Sequence, residues 1–412
     1  MTEREFAIDV VTKLQAVGFV ALFAGGCVRD ELLGITPADH DIATSATPDD
    51  VKKLFRRTHS FGASFGVVEV LGPRDAAGEW LKEQDATFRS DGTYTDGRRP
   101  DAVTFSSPEE DAARRDFTLN GLFLDPLTNR VLDFVNGRAD LEAKVLRAIG
   151  DPVLRFTEDK LRILRAVRMA ARFELRVDPA TQAAATAMAG DIKAVSAERI
   201  AEELRKILTN RHRVRGLELL NEFGLFPHVL PEVTDIPGRI RVVAALHPAP
   251  DITFPLVFAV LLGGVSAKGA GNVCRRLRLS NDELERVVWL VAHRESLRAA
   301  PTMKNSGLFS VLIHPGIGDL LALHEAEAVA AGDDLTAVEF CAELLRTRTP
   351  EQLNPKPLLT GDDLQTLGLS PGPRFKKLLD AVRTAQLDGE IVNHQGAVAL
   401  VHRLNTEPEP NR

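Results

Sequence analysis

The sequence predicts an α+β protein, with a mixed head over residues 1–140 followed by an all-α remainder. Three observations lead there. Short runs of strand character alternate with helical periods up to Leu141. Beyond it strand signals thin out and Ala, Leu, Arg and Glu take over, all of them at home in helices apart from packing demands. A chain of 412 residues also exceeds what one core usually serves, so roughly two to four domains are expected.

Taken in order, residues 2–17 carry a helical period with Phe6, Val10, Leu14 and Val17 on one face. Residues 20–23 read as a strand running into a glycine turn. Thr47 as N-cap and Pro48 at the first helical position open a helix to Arg56. Residues 66–71, 86–89 and 103–105 read as strands. The segment 89–100, RSDGTYTDGRRP, is rich in Gly, Asp and Thr and reads as a mobile loop. Later helices are expected at 157–173, 179–189, 197–209, 213–223 and 282–299. Residues 256–265 are apolar but too short to span a membrane. Thr360-Gly361-Asp362-Asp363 reads as a turn and N-cap, Pro371-Gly372-Pro373 breaks the chain before another helix, and 407–412 read as a frayed end. No internal repeat is visible.

Composition excludes several classes. Hydrophobic content of 44% and charged content of 26% describe an ordinary soluble protein, and no apolar run reaches transmembrane length. The opening MTEREFAIDVV is acidic and amphipathic, unlike a signal peptide. Cys27, Cys274 and Cys341 are too dispersed for a disulfide framework or a zinc pair and fit a reducing cytoplasm. A net charge of −7 argues against a protein that coats nucleic acid non-specifically, although arginines cluster locally at 98–99, 114–115, 162–172 and 211–215.

The chemistry is concentrated in FAGGCVRDELLGITPADHDIAT, residues 23–44. Gly25 and Gly26 let backbone N–H groups approach a triphosphate, because no Cβ stands in the way. Arg29 suits a phosphate or ribose clamp. Asp39 and Asp41 lie two apart, so on a strand both carboxylates share a face, as Mg²⁺ bound by carboxylates and substrate phosphates requires. In RRDFTLN, Arg114 and Arg115 beside Asp116 can neutralise a triphosphate and orient a ribose. In EDKLRILRAVR, Asp159 and Arg162 would be i, i+3 neighbours on a helix. A carboxylate accepts from an exocyclic amino group and a guanidinium donates to a ring acceptor; cytosine and adenine offer that pattern, guanine and uracil the reverse. Arg165 and Arg168 continue the basic rim. DFVNGRAD supplies a hinge-like Gly137 and SAERI an Arg199 placed to brace the base-reading helix, though a purely structural role fits both segments at least as well.

Taken together, GGCVRD…DHD, RRDFTLN, DFVNGRAD, EDKLRILRAVR and SAERI, in that order, resemble the class II tRNA nucleotidyltransferases, the bacterial CCA-adding enzymes with their poly(A) polymerase relatives. The resemblance covers residues 23–208, and TGDDLQTLGLSPGPRFKKLLDAVRTAQLDGEI is similar to the family's C-terminal tail; 210–349 match by no motif. It implies a DNA polymerase beta-type nucleotidyltransferase head at 1–140, a helical neck at 141–212, a helical body at 213–350 and a tRNA-binding tail at 351–412. It implies Mg²⁺ on Asp39 and Asp41, which would be the catalytic pair. Triphosphate contacts would come from Gly26 and Arg29. Arg115 and Asp116 would take the ribose and phosphate side, Asp159 and Arg162 the base edge, with Arg165 and Arg168 beside them. CTP and ATP are the implied substrates, tRNA the partner, the cytoplasm the setting, with no membrane and no protein partner.

Three departures stand out. Where the family has a third acid, this chain reads Gln84-Asp85-Ala86-Thr87-Phe88-Arg89, leaving Asp85 or Glu69 as possible substitutes. The apolar segment 255–265 holds no His-Asp pair, so no phosphohydrolase activity is expected. The arginine-rich poly(A) polymerase signature is missing, with 59–68 in its place. Retention of a loop at 89–100 favours addition of full CCA or of the terminal A over CC alone. A poly(A) polymerase and a catalytically dead RNA-binding head are the competing readings.

Overall fold

The computed structural model describes residues 1–59, 66–74, 78–92, 102–247 and 252–406. The loop residues Tyr94, Asp96, Gly97, Arg98 and Pro100, residues 60–65 and the end 407–412 therefore lie outside the described residues. The chain divides into two units, Met1–Pro231 and Glu232–Arg412.

The first unit opens with α1 (Glu3–Ala16), closed at its start by a capping box between Thr2 and Glu5. It is followed by β1 (Ala21–Ala24), α2 (Gly26–Leu32), β2 (Ile42–Thr44) and α3 (Pro48–Leu54), the last capped by Thr47 as expected. Next come β3 (Thr58–His59), β4 (Val67–Arg74), β5 (Trp80–Thr87), β6 (Arg89–Asp91), β7 (Val103–Phe105) and α4 (Pro108–Ala113). The head ends with β8 (Leu122–Asp125), β9 (Arg130–Asp133) and α5 (Gly137–Glu142). One seven-stranded sheet runs in the order β3-β4-β5-β2-β1-β8-β9. β1 is antiparallel to both β2 and β8, while β2 runs parallel to β5. The glycine turn after β1 and the acids before β2 thus emerge at the same end of adjacent strands.

One face of the sheet packs under α1, where Phe6, Val10 and Leu14 meet Phe23, Ile42, Val68, Val70 and Leu81. The opposite face buries Leu22, Ala24, Ala43, Phe88 and Phe123. β5 is longer than the sequence suggested, starting at Trp80 rather than Ala86. Its pattern hid it, because the positions buried beside Leu81 are Glu83 and Asp85, where apolar residues would have signalled a strand.

A short bridge of β10 (Val145–Leu146) with β11 (Arg176–Val177) frames α6 (Pro152–Glu158) and α7 (Arg162–Arg172); α8 (Pro179–Ala187), α9 (Ala197–Leu208) and α10 (Arg213–Glu222) complete the first unit's main helices. The single helix expected at 157–173 is a correction: it is two. Asp159 ends α6 with extended backbone, φ −146° and ψ 103°, so Asp159 and Arg162 are not neighbours on one helix face. The second unit is helical throughout its described residues. Asn281–His293 is capped by a Ser280–Glu283 box and stops at His293, short of the predicted Ala299. Gly361–Thr366 is capped by Thr360, and packs with Pro373–Leu387 and His394–Thr406 around Leu364, Leu378, Val382 and Val401. Among the described residues no single helix is long and apolar enough to cross a membrane.

Candidate active site

A cleft of about 600 Å³ in the first unit gathers the predicted catalytic and nucleotide-binding residues, but not Glu69, Asp85 or Gly137. Gly25, Gly26 and Arg29 line one side of it with Asp39 and Asp41, and Asp159, Arg162, Arg165 and Arg168 line it from α7 and the α6–α7 joint. Arg114, Arg115, Asp116 and Asn120 enter from the end of α4 and the turn that follows.

Gly25 is the hinge of this assembly. Its φ of +72° lies in the region that side chains disfavour, and a Cβ there would stand 2.6 Å from Nη1 of Arg115. It is also the cap residue of α2, so the chain turns from β1 into a helix start directly beside the two acids. His40, between Asp39 and Asp41, is buried against the Phe23 ring, with 5.2 Å between centroids. With His40 turned inward, Asp39 and Asp41, just ahead of β2, both line the cleft. Restricted solvent and then the charge of Asp39 hold the Asp41 carboxyl above the ordinary carboxylate range, and Arg115 acts against them. Two like charges beside a glycine turn suit a divalent cation that substrate phosphates complete. Among the described residues, no group of three His, Cys, Asp or Glu side chains forms a closed metal cage.

β-sheet register separates the two substitutes for the missing third acid. Ile42 pairs with Asp85, so one step back Asp41 faces the same way as Gln84. Asp85 points to the other face, buried between the rows of Ile42 and Val68, and neither of its oxygens has a hydrogen-bond partner. Glu69 is opposite Gln84 and shares its face, but it lies one strand further out and faces His59 at 3.3 Å.

The arginines are organised by buried acids, among them Asp111, which lies outside the predicted set. Asp111, fully buried on α4, accepts from Arg114 Nε and Nη2 at 3.0 and 2.5 Å and from Arg115 Nε and Nη2 at 3.1 and 2.9 Å. Burial would raise its pKa, but Arg115 and Arg114 outweigh that and hold it below the usual range. The pairing was legible in principle, since Asp111 stands three and four residues before the arginines on a helix. Arg115 and Asp116 are sequence neighbours but not partners. Asp116 accepts from Arg165 at 2.8 and 2.5 Å and from the Asn120 amide at 2.9 Å. Burial again works upward on Asp116, and Arg165 with Asn120 drives its pKa well below the ordinary value. Arg29 is buried, donates to Asp30 at 2.8 Å and to the Asn120 side chain at 2.5 Å, and lies 4.5 Å over the Phe173 ring. It shapes the floor of the cleft as much as it faces it.

At the α6–α7 joint, Asp159 is held by Arg199 of α9, whose two terminal nitrogens donate at 3.1 and 2.7 Å. Arg162 donates to Glu158 at 2.6 Å and to the backbone carbonyls of Arg155 and Arg114 at 3.1 and 3.2 Å. The Arg114 carbonyl thereby links the joint to the arginine pair. Arg168 donates to Glu203 of α9 at 2.6 Å.

Comparison with known proteins agrees with this layout. Residues 21–147 match the Poly A polymerase head domain family, and residues 174–236 match a family described as the probable RNA and SrmB-binding site of polymerase A. The CCA-adding enzyme of Levilactobacillus brevis is 33% identical over 400 residues, 96% of either chain. That of Geobacillus stearothermophilus is 30% identical over 98% of either chain. The crystal structure of the Bacillus stearothermophilus CCA-adding enzyme in complex with CTP superposes with a TM-score of 0.80 at 28% identity, covering 98% of both chains. With its glycine turn, paired acids and arginine-lined cleft inside a full-length match, this chain belongs to the CCA-adding enzyme family and is a tRNA nucleotidyltransferase.

Proposed function

We propose that this protein adds CCA, or the terminal A, to the 3′ end of tRNA, using CTP and ATP and releasing pyrophosphate. The observation that carries this reading is the cleft itself: two acids at a glycine turn share it with a carboxylate and a guanidinium suited to a cytosine or adenine edge. In this reading 1–140 form the catalytic head, 141–212 the neck, 213–350 the body and 351–412 a tail that engages tRNA.

Asp39 and Asp41 would hold Mg²⁺, and the paired carboxylates on one side of the cleft fit such an ion. A pair of such ions held there would supply stabilisation for the charge that develops in an in-line displacement. The remaining work belongs to the chain. Gly25 and Gly26 admit the triphosphate close to backbone N–H groups, and Arg29 and Arg115 supply positive charge to it. Asp116, braced by Arg165, faces the ribose side. Asp159 accepts from the exocyclic amino group of C or A while Arg162 donates to the neighbouring ring acceptor, with Arg168 on the rim. The tRNA 3′ hydroxyl attacks the α-phosphate, and positioning and charge stabilisation supply most of the acceleration.

The test is addition to tRNA transcripts ending before CCA, after C and after CC, given CTP, ATP or both with Mg²⁺. Growth of the shortest transcript to a complete CCA end, with a stop there, is the expected result for a full CCA-adding enzyme. Extension only of the CC-ended transcript by one A marks an A-adding enzyme. Long ATP-only tails would overturn the reading in favour of a poly(A) polymerase.

A further inference from the structure

α7 and α9 pack against each other, and the stripes that meet at their edge are basic. Arg168 and Arg172 stand one turn apart on α7. On α9, Glu203 takes the Arg168 guanidinium, and Lys206 follows one turn later, with Thr209 and Asn210 at the helix end. Arg168, Arg172, Lys206, Thr209 and Asn210 line a second pocket, of about 380 Å³. Among the described residues its lining is three cations, a hydroxyl and an amide, without a carboxylate. The acids that balance these cations stand behind or beside them: Glu203 and Asp30 are buried, and Glu202 lies 3.4 Å from Lys206 on an outer face. Arg168 lines both this pocket and the active-site cleft, so the two adjoin through one guanidinium.

We infer that this pocket seats a backbone phosphate close to the 3′ end of the RNA being extended, an assignment that rests on the function proposed above. The nucleotide takes one wall of the cleft with its triphosphate and another with its base. The attacking hydroxyl must therefore arrive from a third direction, followed by a backbone with one negative charge per nucleotide. The pocket adjoins the cleft at Arg168, on a side that neither the triphosphate nor the base takes in the proposed reading. Its chemistry is that of phosphate positioning rather than base reading: the three cations and the Asn210 amide are its donors, the Thr209 hydroxyl being spent on the Arg205 carbonyl at 2.8 Å, and among the described residues it has no aromatic platform for stacking. Lys206, Thr209 and Asn210 also fall within the stretch that matches the probable RNA-binding family. Side-chain charge supplies the attraction, because the helix end beside the pocket is a C-terminus, whose dipole repels anions.

The experiment uses the full chain and tRNA transcripts lacking CCA, with the native backbone or with one methylphosphonate at each of the last few linkages. Neutralising one of those linkages should raise the wild-type KM for tRNA severalfold. Lys206→Glu should raise the KM for native tRNA to a similar or greater degree while leaving the KM for CTP unchanged. In that variant the same methylphosphonate should no longer matter, and the salt dependence of tRNA binding should fall by roughly one unit of slope. Lys206→Arg should behave as wild type. An unchanged KM for tRNA in Lys206→Glu, or a methylphosphonate penalty that persists in full in that variant, would overturn the assignment. A wild-type chain that extends no tRNA would sink the proposed function instead, and direct binding of the same RNAs to wild type and Lys206→Glu would still decide the pocket.

Discussion

Arg199 grips Asp159 with both terminal nitrogens, at 3.1 and 2.7 Å, across 40 residues of sequence. The carboxylate proposed to read the base is therefore oriented by a neighbouring helix as well as by the local Leu161 N–H, which donates to it at 3.1 Å. Arg199→Ala should free Asp159 to rotate. The expected result is a roughly tenfold drop in kcat/KM for CTP and ATP, with a smaller drop for UTP and GTP, so that discrimination narrows. Competition assays with the four nucleotides measure it. Equal losses for all four would mean that Arg199 acts on the fold and not on selection.

Gly25 combines a φ of +72° with a potential Cβ only 2.6 Å from Arg115. Gly25→Ala should cost about 1–2 kcal/mol of backbone strain and push Arg115 off its Asp111 anchor. A loss of tenfold or more in kcat/KM is expected, with tRNA affinity retained. Steady-state kinetics beside a tRNA binding assay separate the two.

Asp39→Ala with Asp41→Ala should lower turnover by roughly a thousandfold or more, because several kcal/mol of charge stabilisation are removed at once. Binding of tRNA should persist. Gln84 stands on the face of Asp41 in the parallel register, where a carboxylate would complete a third acidic position. Gln84→Glu should therefore lower the Mg²⁺ concentration that gives half-maximal activity, a shift read from metal titrations of both proteins.

Asp85 and Glu83 are the buried acids of β5, and they carry a prediction for stability. Burial, and then Asp85, push the Glu83 carboxyl up to about 9 from an ordinary 4.5, and burial alone holds Asp85 well above its usual value. Both are protonated in the folded protein over a range where the unfolded chain has lost its protons. The folded state then binds more protons, so stability declines as pH rises from 4.5 towards 9, at up to about 1.4 kcal/mol per pH unit per group. Glu83→Gln should flatten that decline. Asp85→Val, which replaces an unpartnered carboxyl beside Ile42 and Val68, should add about 1–3 kcal/mol near neutral pH. Thermal melts from pH 5 to 9 check both.

What the sequence revealed and what it concealed follow from which interactions are local. The glycine turn, the caps at Thr2, Thr47 and Thr360 and the motif order are written in neighbouring residues, and the structure places the predicted catalytic and nucleotide-binding residues around one cleft. The break at Asp159 is different. EDKLRIL has a helical composition, and at the break one local tie, the Leu161 N–H to the Asp159 carboxylate, stands beside the long-range ties of Arg199 to Asp159 and of Arg162 to the Arg114 carbonyl. The same holds for Asp116, whose partner is 49 residues away, and for β5, whose buried acids disguised its period.

The joint between α6 and α7 carries a consequence for how a base is chosen. Asp159 and Arg162 each already hold a protein partner, Arg199 for one and Glu158 for the other. A carboxylate offers about four acceptor sites and a guanidinium five donors, so both groups keep capacity for a ligand beside those partners. Under the proposed function, the internal ion pairs would then hold the two groups still, and a nucleobase would be selected by whether its edge fits a template already set. Rigidity supplied from within the protein would do the work that a nucleic-acid template does elsewhere.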